Sequence, residues 1–178
     1  MLRLFFISIL LTFFQVSQAQ YQFPDIEGKC LDKSNVKIPT DTKGKMTLVG
    51  IAFSKKSEED LRSWFQPAYR TFISPPTNSL IPVDSYDANL YFIAMLKGLA
   101  KGASGKIYKK MQEGIDKQLH PYVLLFDDNF QPYKKALDFG AKDQPYFYVL
   151  DPQGKVVYQT SGEYTEEKFD EILSKFEE

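Results

Sequence analysis

Met46-Thr47-Leu48-Val49-Gly50-Ile51-Ala52-Phe53, followed by Ser54-Lys55-Lys56-Ser57-Glu58-Glu59-Asp60-Leu61-Arg62-Ser63-Trp64-Phe65-Gln66-Pro67, is the stretch on which the fold turns. Its first half is almost continuously apolar, as expected of a strand buried on both faces. In its second half Ser57 can cap a helix, with Glu58 and Glu59 in the first turn and Asp60 at the third helical position. Leu61, Trp64, Phe65, Ala68 and Phe72 then recur at helical spacing along one face. Pro67 falls inside this pattern. It lacks a backbone donor and its ring crowds the preceding turn, so a kink is expected there.

The pattern continues outward from this unit. Asn89 to Leu96 reads as a second buried strand. Ser104 can cap a helix carrying Ile107, Tyr108, Met111, Ile115 and Leu119. Tyr122–Phe126 and Tyr146–Leu150 are two further apolar runs. Asp151-Pro152-Gln153-Gly154 has the composition of a tight turn, with Pro favoured second and Gly last. Lys155–Gln159 then completes a hairpin. Thr165 can cap a closing helix with Phe169, Ile172, Leu173 and Phe176 on its apolar face, and Tyr164 can staple onto Phe169. Strand and helix alternate and a hairpin follows, which implies an α/β protein with a central mixed sheet and helices on both faces. Residues 74–79 and 97–105 read as loops. No repeat or linker divides the chain, so residues 20–178 are expected to form one domain.

The 178 residues are 43% hydrophobic and 25% charged, with a net charge of −1. That balance excludes collagen-like and wholly disordered chains and gives no electrostatic footprint for nucleic acid. Residues 1–19 have the layout of a secretory signal peptide: Arg3, an apolar run from Leu4 to Phe14, then Ser17-Gln18-Ala19 at the cleavage site. The run is too short to span a bilayer, which takes about 20 apolar residues. The expectation is an exported protein, periplasmic or extracellular, with no membrane span after cleavage.

One Cys and one His leave little for a disulfide framework or a metal cage. Cys30 lies in Glu27-Gly28-Lys29-Cys30-Leu31, where a buried, inert thiol is the default; a reactive thiol is the alternative. A Ser57 nucleophile would need a general base, and His120 is the sole histidine. Asp127-Asp128-Asn129 and Glu58-Glu59-Asp60 lack the loop spacing of a calcium cage. No metal or cofactor is expected.

Four segments carry a resemblance to the thioredoxin-like superfamily. They are Phe23-Pro24-Asp25 through Gly44-Lys45; the strand ending Gly50-Ile51-Ala52-Phe53 with its Pro67-kinked helix; Asp143-Gln144-Pro145 before Tyr146–Leu150; and Leu150-Asp151-Pro152-Gln153-Gly154-Lys155 followed by Gly162 and the closing helix. The resemblance implies a three-layer α/β/α sandwich and a cis peptide at Gln144–Pro145. In redox-active members a Cys-X-X-Cys starts the helix after the first core strand. Counting forward from Phe53 and back from Pro67 places that site near Glu58 and Glu59, in a segment without sulfur. The chain also resembles mitochondrial ATP-synthase assembly factors built on a degenerate thioredoxin-like fold, through Ser63-Trp64 and the Tyr-rich strand before Asp-X-X-Gly.

Thiol–disulfide exchange needs an attacking thiolate, and the helix start offers none. The expected function is therefore non-redox binding of a protein or peptide, in assembly or scaffolding, with no catalytic residue. The candidate surface is Lys55, Lys56, Ser57, Glu58, Glu59, Gln144 and Pro145, where an extended peptide could pair with the main chain. The alternative is a one-Cys thiol oxidoreductase or peroxidase using Cys30.

Overall fold

A computed structural model describes residues 21–74, 86–96, 103–141 and 143–177. Residues 1–20, on which the signal-peptide expectation falls, residues 75–85 and 97–102, on which most of the two loop expectations fall, and residues 142 and 178 lie outside the described residues. The elements in chain order are β1 (Tyr21–Gln22), β2 (Ile26–Cys30), β3 (Asn35–Ile38), β4 (Thr47–Ala52), α1 (Lys55–Arg62), α2 (Phe65–Phe72), β5 (Asn89–Met95), α3 (Ala103–Gly114), β6 (Val123–Phe126), α4 (Gln131–Ala136), β7 (Tyr146–Leu150), β8 (Lys155–Ser161) and α5 (Glu166–Ser174).

All eight strands join one sheet in the order β1-β8-β7-β4-β5-β6-β2-β3. β4, β5 and β6 run parallel, and β7, β8 and the β2–β3 hairpin run antiparallel to their neighbours. The expected mixed sheet is thus present. β4 is buried along its whole length, because it sits in the middle of the sheet with a core on each face. On one face Leu48 and Ala52 pack with Trp64, Phe65, Phe72, Phe92, Phe147 and Phe169 beneath α1, α2, α3 and α5. On the other, Val49 and Ile51 pack with Ile93, Leu124, Phe130, Leu137 and Phe139 around α4. Gly50 is small for a steric reason. A methyl group there would lie 2.7 Å from the Phe147 ring and 2.9 Å from Leu61, so α1 could not approach β4 as closely.

Several expectations need correction. The helix after β4 starts at Ser54 rather than Ser57. Its interruption falls at Ser63–Trp64, four residues before Pro67. The reason is the proline ring, which excludes the carbonyl of the residue four earlier, Ser63; Pro67 itself fits inside the first turn of α2. Ser104 does not cap α3, which already includes Ala103. Ile115 and Leu119 fall beyond that helix, Leu119 within a 3₁₀ segment over Lys117–Tyr122. The cis peptide among the described residues is Ile38–Pro39, and Gln144–Pro145 is trans. Trans is the lower-energy form of an ordinary X–Pro bond, and here the loop before β7 is tied down by side chains instead, as described below. The 3.6-residue helical period and the strand runs were otherwise followed: Thr165 caps α5 through Lys168 N–H, and Tyr164 and Phe169 rings stand 5.7 Å apart.

Candidate functional site

The start of α1 is closed by two hydroxyl groups. Ser54 is extended, with φ −146° and ψ 162°, and its Oγ accepts the Ser57 N–H at 3.1 Å. Ser57 Oγ accepts the Ser54 and Phe53 N–H groups at 2.9 and 3.0 Å and donates to the Ser54 carbonyl at 2.9 Å. This reciprocal capping box satisfies donors that the helix itself cannot. Ser57 is fully buried, so of the expected contact residues it, like the buried Pro145, cannot offer its side chain to a partner. Glu58 is half-buried, and burial raises its carboxyl pKa against the opposing pull of Arg62. Glu58 lies in the first turn of the helix, as expected, and Glu59 just beyond it. Lys55, Lys56 and Glu59 are exposed, and Lys56 is salt-bridged to Asp60 one turn on.

The same geometry explains what the counting missed. Ser54 and Ser57 stand three apart at the start of the helix after β4, a few residues before the position near Glu58 and Glu59 that the resemblance assigns to the first cysteine. Their oxygens are 3.2 Å apart. The helix begins one turn earlier than the sequence suggested, with Ser54 rather than Ser57 as its cap. The Ser-X-X-Ser spacing was the signal that could have located the capping box.

β7 brings the second half of the candidate surface alongside. Ile51 pairs with Tyr146, so Pro145 and Gln144 stand one and two steps further on, beside the exit of β4. Gln144 donates to the Tyr146 hydroxyl at 3.1 Å, and that hydroxyl donates to the Ala141 carbonyl at 3.0 Å. Pro145 is buried, and its carbonyl accepts the Gly162 N–H at 2.9 Å. An aromatic ledge that the sequence reading did not single out completes the floor. The half-buried Phe53 ring stacks on Phe139 at 4.8 Å, Tyr146 at 6.0 Å and Phe130 at 6.1 Å.

Ser63 and Trp64 hold the helix break against the sheet. Trp64 Nε1 donates to the Gly162 carbonyl at 3.1 Å, and Ser63 Oγ accepts the Tyr164 N–H at 2.9 Å. The indole lies 4.0 Å from the Phe147 ring. Gly162, at φ +95°, thus receives the indole donor on its carbonyl and gives its own N–H to Pro145. A backbone at that φ suits glycine alone without strain.

Cys30 is elsewhere. It is fully buried at the end of β2, three strands from β4 in the sheet, which is about 14 Å at the usual strand spacing. Burial pushes its thiol from the ordinary 9.0 up to about 11, with Asp32 adding to the rise and Ser34 opposing it. His120 sits ahead of β6 with Nε2 3.0 Å from the Ile115 carbonyl, and no Ser57–His120 pair forms. Among the described residues no group of three or more His, Cys, Asp or Glu could hold a metal ion. None of their helices is long and apolar enough to cross a membrane.

A mixed sheet with helices on both faces, an N-terminal hairpin extension and a broken helix after the first central strand define a thioredoxin-like protein. Within that class the chain belongs to the ATP10 protein family, whose profile matches residues 6–178. No curated protein matches it. Among solved structures it is similar to BsSco, a member of the Sco family of cytochrome c oxidase assembly proteins, at 16% identity and a TM-score of 0.58 over 89% of this chain and 93% of that one. It is similar to a thiol:disulfide interchange protein DsbE of Chlorobium tepidum at 13% identity and a TM-score of 0.56, over 88% and 96% of the two chains. The exposed lipoprotein thioredoxin Etrx1 of Streptococcus pneumoniae shares 17% identity and a TM-score of 0.51, over 86% and 98%. At these identities the likeness is one of fold.

Proposed function

We propose that the protein is an exported, non-redox assembly factor that binds a protein partner at the start of α1, and that ATP synthase is the class of complex it serves. The observation that carries this reading is the helix start itself, which two serine hydroxyls close and which holds no sulfur, beside Gln144–Pro145 and an aromatic ledge. A hydroxyl pair cannot exchange disulfides. The exposed Lys55 and Lys56, Glu59, Gln144 and the Phe53 and Tyr146 rings leave a polar-rimmed aromatic surface, the composition that protein interfaces favour. Membership of the ATP10 family supports the assembly role. The Cys30 alternative is disfavoured because a buried thiol with a raised pKa is both inaccessible and protonated at neutral pH.

The test compares affinity capture by wild-type protein and by a Lys55→Glu/Lys56→Glu/Gln144→Ala variant of equal thermal stability. The partner is expected to be lost by about tenfold or more, a cost of roughly 1.4 kcal/mol. Equal recovery would place the docking surface elsewhere. Insulin reduction and peroxide consumption are expected to be nil; turnover abolished by Cys30→Ser would replace the binding role with a redox one. Mature protein beginning at Gln20 is expected from the source cells, and an intact Met1 start would remove the export reading.

A further inference from the structure

The two halves of the candidate surface come from distant parts of the chain: Lys55, Lys56 and Glu59 from α1, and Gln144 and Pro145 from the loop before β7. The β4–β7 ladder that joins those parts stops at Ile51 and Tyr146. The β7–β8 ladder stops level with it, at Tyr146 and Ser161. Beyond the ladders, on the α4 face, the Phe53 ring stacks on Tyr146. On the opposite face two hydrogen-bonded lines cross the gap, and both pass through the turn after β8. In the first, Trp64 Nε1–H donates to the Gly162 carbonyl at 3.1 Å, and the Gly162 N–H donates to the Pro145 carbonyl at 2.9 Å. In the second, the Tyr164 N–H donates to Ser63 Oγ at 2.9 Å, and Ser63 Oγ donates to the Asp60 carbonyl at 2.6 Å. Asp60 in turn holds Lys56 through its carboxylate.

We propose that Ser63 and Trp64 are positioning residues for the docking surface: acting through Tyr164 and Gly162, they set the distance between α1 and the Gln144–Pro145 segment. The inference rests on the docking reading of that surface and adds the device that fixes its shape. Ser63 and Trp64 are consecutive residues between the end of α1 and the start of α2, so both lines leave the helix break at one point. The line through Gly162 is short and stiff. The indole is fully buried, with the Phe147 ring at 4.0 Å and the Tyr164 and Phe169 rings edge-on at 5.4 and 6.2 Å, and this packing fixes the direction of its N–H. Gly162, at φ +95°, presents its carbonyl to the indole and its N–H to Pro145 at once. A displacement of the helix break therefore carries Pro145 with it, and Pro145 carries Gln144. Coupling of this kind is established by displacement rather than by spatial continuity, and the distance between the two halves is directly measurable.

Spin labels on Lys55→Cys and Asp143→Cys, both at exposed positions, report that distance without a partner; Cys30 is buried and stays unlabelled. Double electron–electron resonance on the otherwise wild-type protein is expected to give one narrow distribution. Trp64→Phe keeps an aromatic ring and loses the donor. Ser63→Ala alters an exposed position and keeps the proposal open to test if Trp64→Phe does not fold. Each variant is expected to broaden or displace the distribution, and Trp64→Phe to speed exchange of the Gly162 amide by about tenfold or more. Phe72→Leu weakens the same apolar layer without touching either line and is expected to leave the distribution narrow, which separates positioning from loss of stability. A folded Trp64→Phe or Ser63→Ala protein with the wild-type distribution, or equal broadening by Phe72→Leu, would overturn the proposal. Partner capture by the Lys55→Glu/Lys56→Glu/Gln144→Ala variant tests the docking reading alone, so each can fail without the other.

Discussion

Two hydroxyl groups three residues apart set the character of the molecule at its most informative point. Ser54 and Ser57 close the start of α1 by bonding each other's main chain. Ser54→Ala should destabilise the protein by about 1 kcal/mol in denaturant melts, the usual loss for an N-cap. Ser54→Cys/Ser57→Cys should form a disulfide under mild oxidation, because oxygens 3.2 Å apart put the side chains within the reach that such a bond requires. Thiol counting before and after reduction checks this, with Cys30 as the internal control. Cys30 carries a pH prediction of its own. Burial raises the folded-state pKa from 9.0 to about 11, so the folded protein holds this proton more tightly than the unfolded chain. The stability so contributed is complete below about pH 9 and is lost as the pH climbs toward 11. Melts of wild type and Cys30→Ala should therefore converge or cross over that window while keeping a constant offset at lower pH. At this scale the sequence showed which atoms were missing, since the absence of sulfur near α1 needs no coordinates. It did not show which residues close the start of the helix. Two serines are the commonest of turn and cap residues, and only their burial and bonding mark them out.

Elements were legible where a single physical demand dominated. The apolar run of β4 is buried on both sides as read, and Asp151–Gly154 makes its turn, with Gly154 N–H bonded to Asp151 and φ at +83°. Legibility failed where tertiary contact decided the outcome. The break between α1 and α2 is placed by Pro67 acting four residues upstream and is then fixed by Ser63 and Trp64, whose partners at Gly162 and Tyr164 are about a hundred residues away in the chain. The pairing of β2 with β6 likewise leaves no local trace beyond Gly28, where a methyl group would fall 2.4 Å from the Leu125 carbonyl. Two substitutions test these elements. Trp64→Ala empties a fully buried site and should cost about 3–5 kcal/mol, measured by denaturant unfolding. Gly28→Ala forces β2 off β6 and should cost roughly 1–3 kcal/mol, with the spectral perturbation centred on the hairpin.

Over the whole molecule the sheet separates two apolar layers of unlike make-up. One lies under four helices and holds the chain's single Trp, Trp64; the other is closed by the short α4 and by the Tyr148 hydroxyl, which donates to the Leu137 carbonyl at 2.7 Å. Amide hydrogen exchange should rank the strands by their depth in this arrangement. β4, β5 and β7, paired on both sides, should exchange slowest and report global unfolding, while β1 and β3 should exchange through local opening. The strand order itself was beyond sequence reasoning, because an apolar run states that it is buried and not beside which neighbour.

The closure of α1 by oxygen has a consequence for the settings in which the molecule can work. A helix end built on two thiols exists in two forms, and the surrounding electron balance decides which is present. Serine has no second form to adopt. The proposed docking shoulder next to Pro145 therefore keeps one shape under reducing and oxidising conditions alike, so the proposed binding has no redox switch at this point.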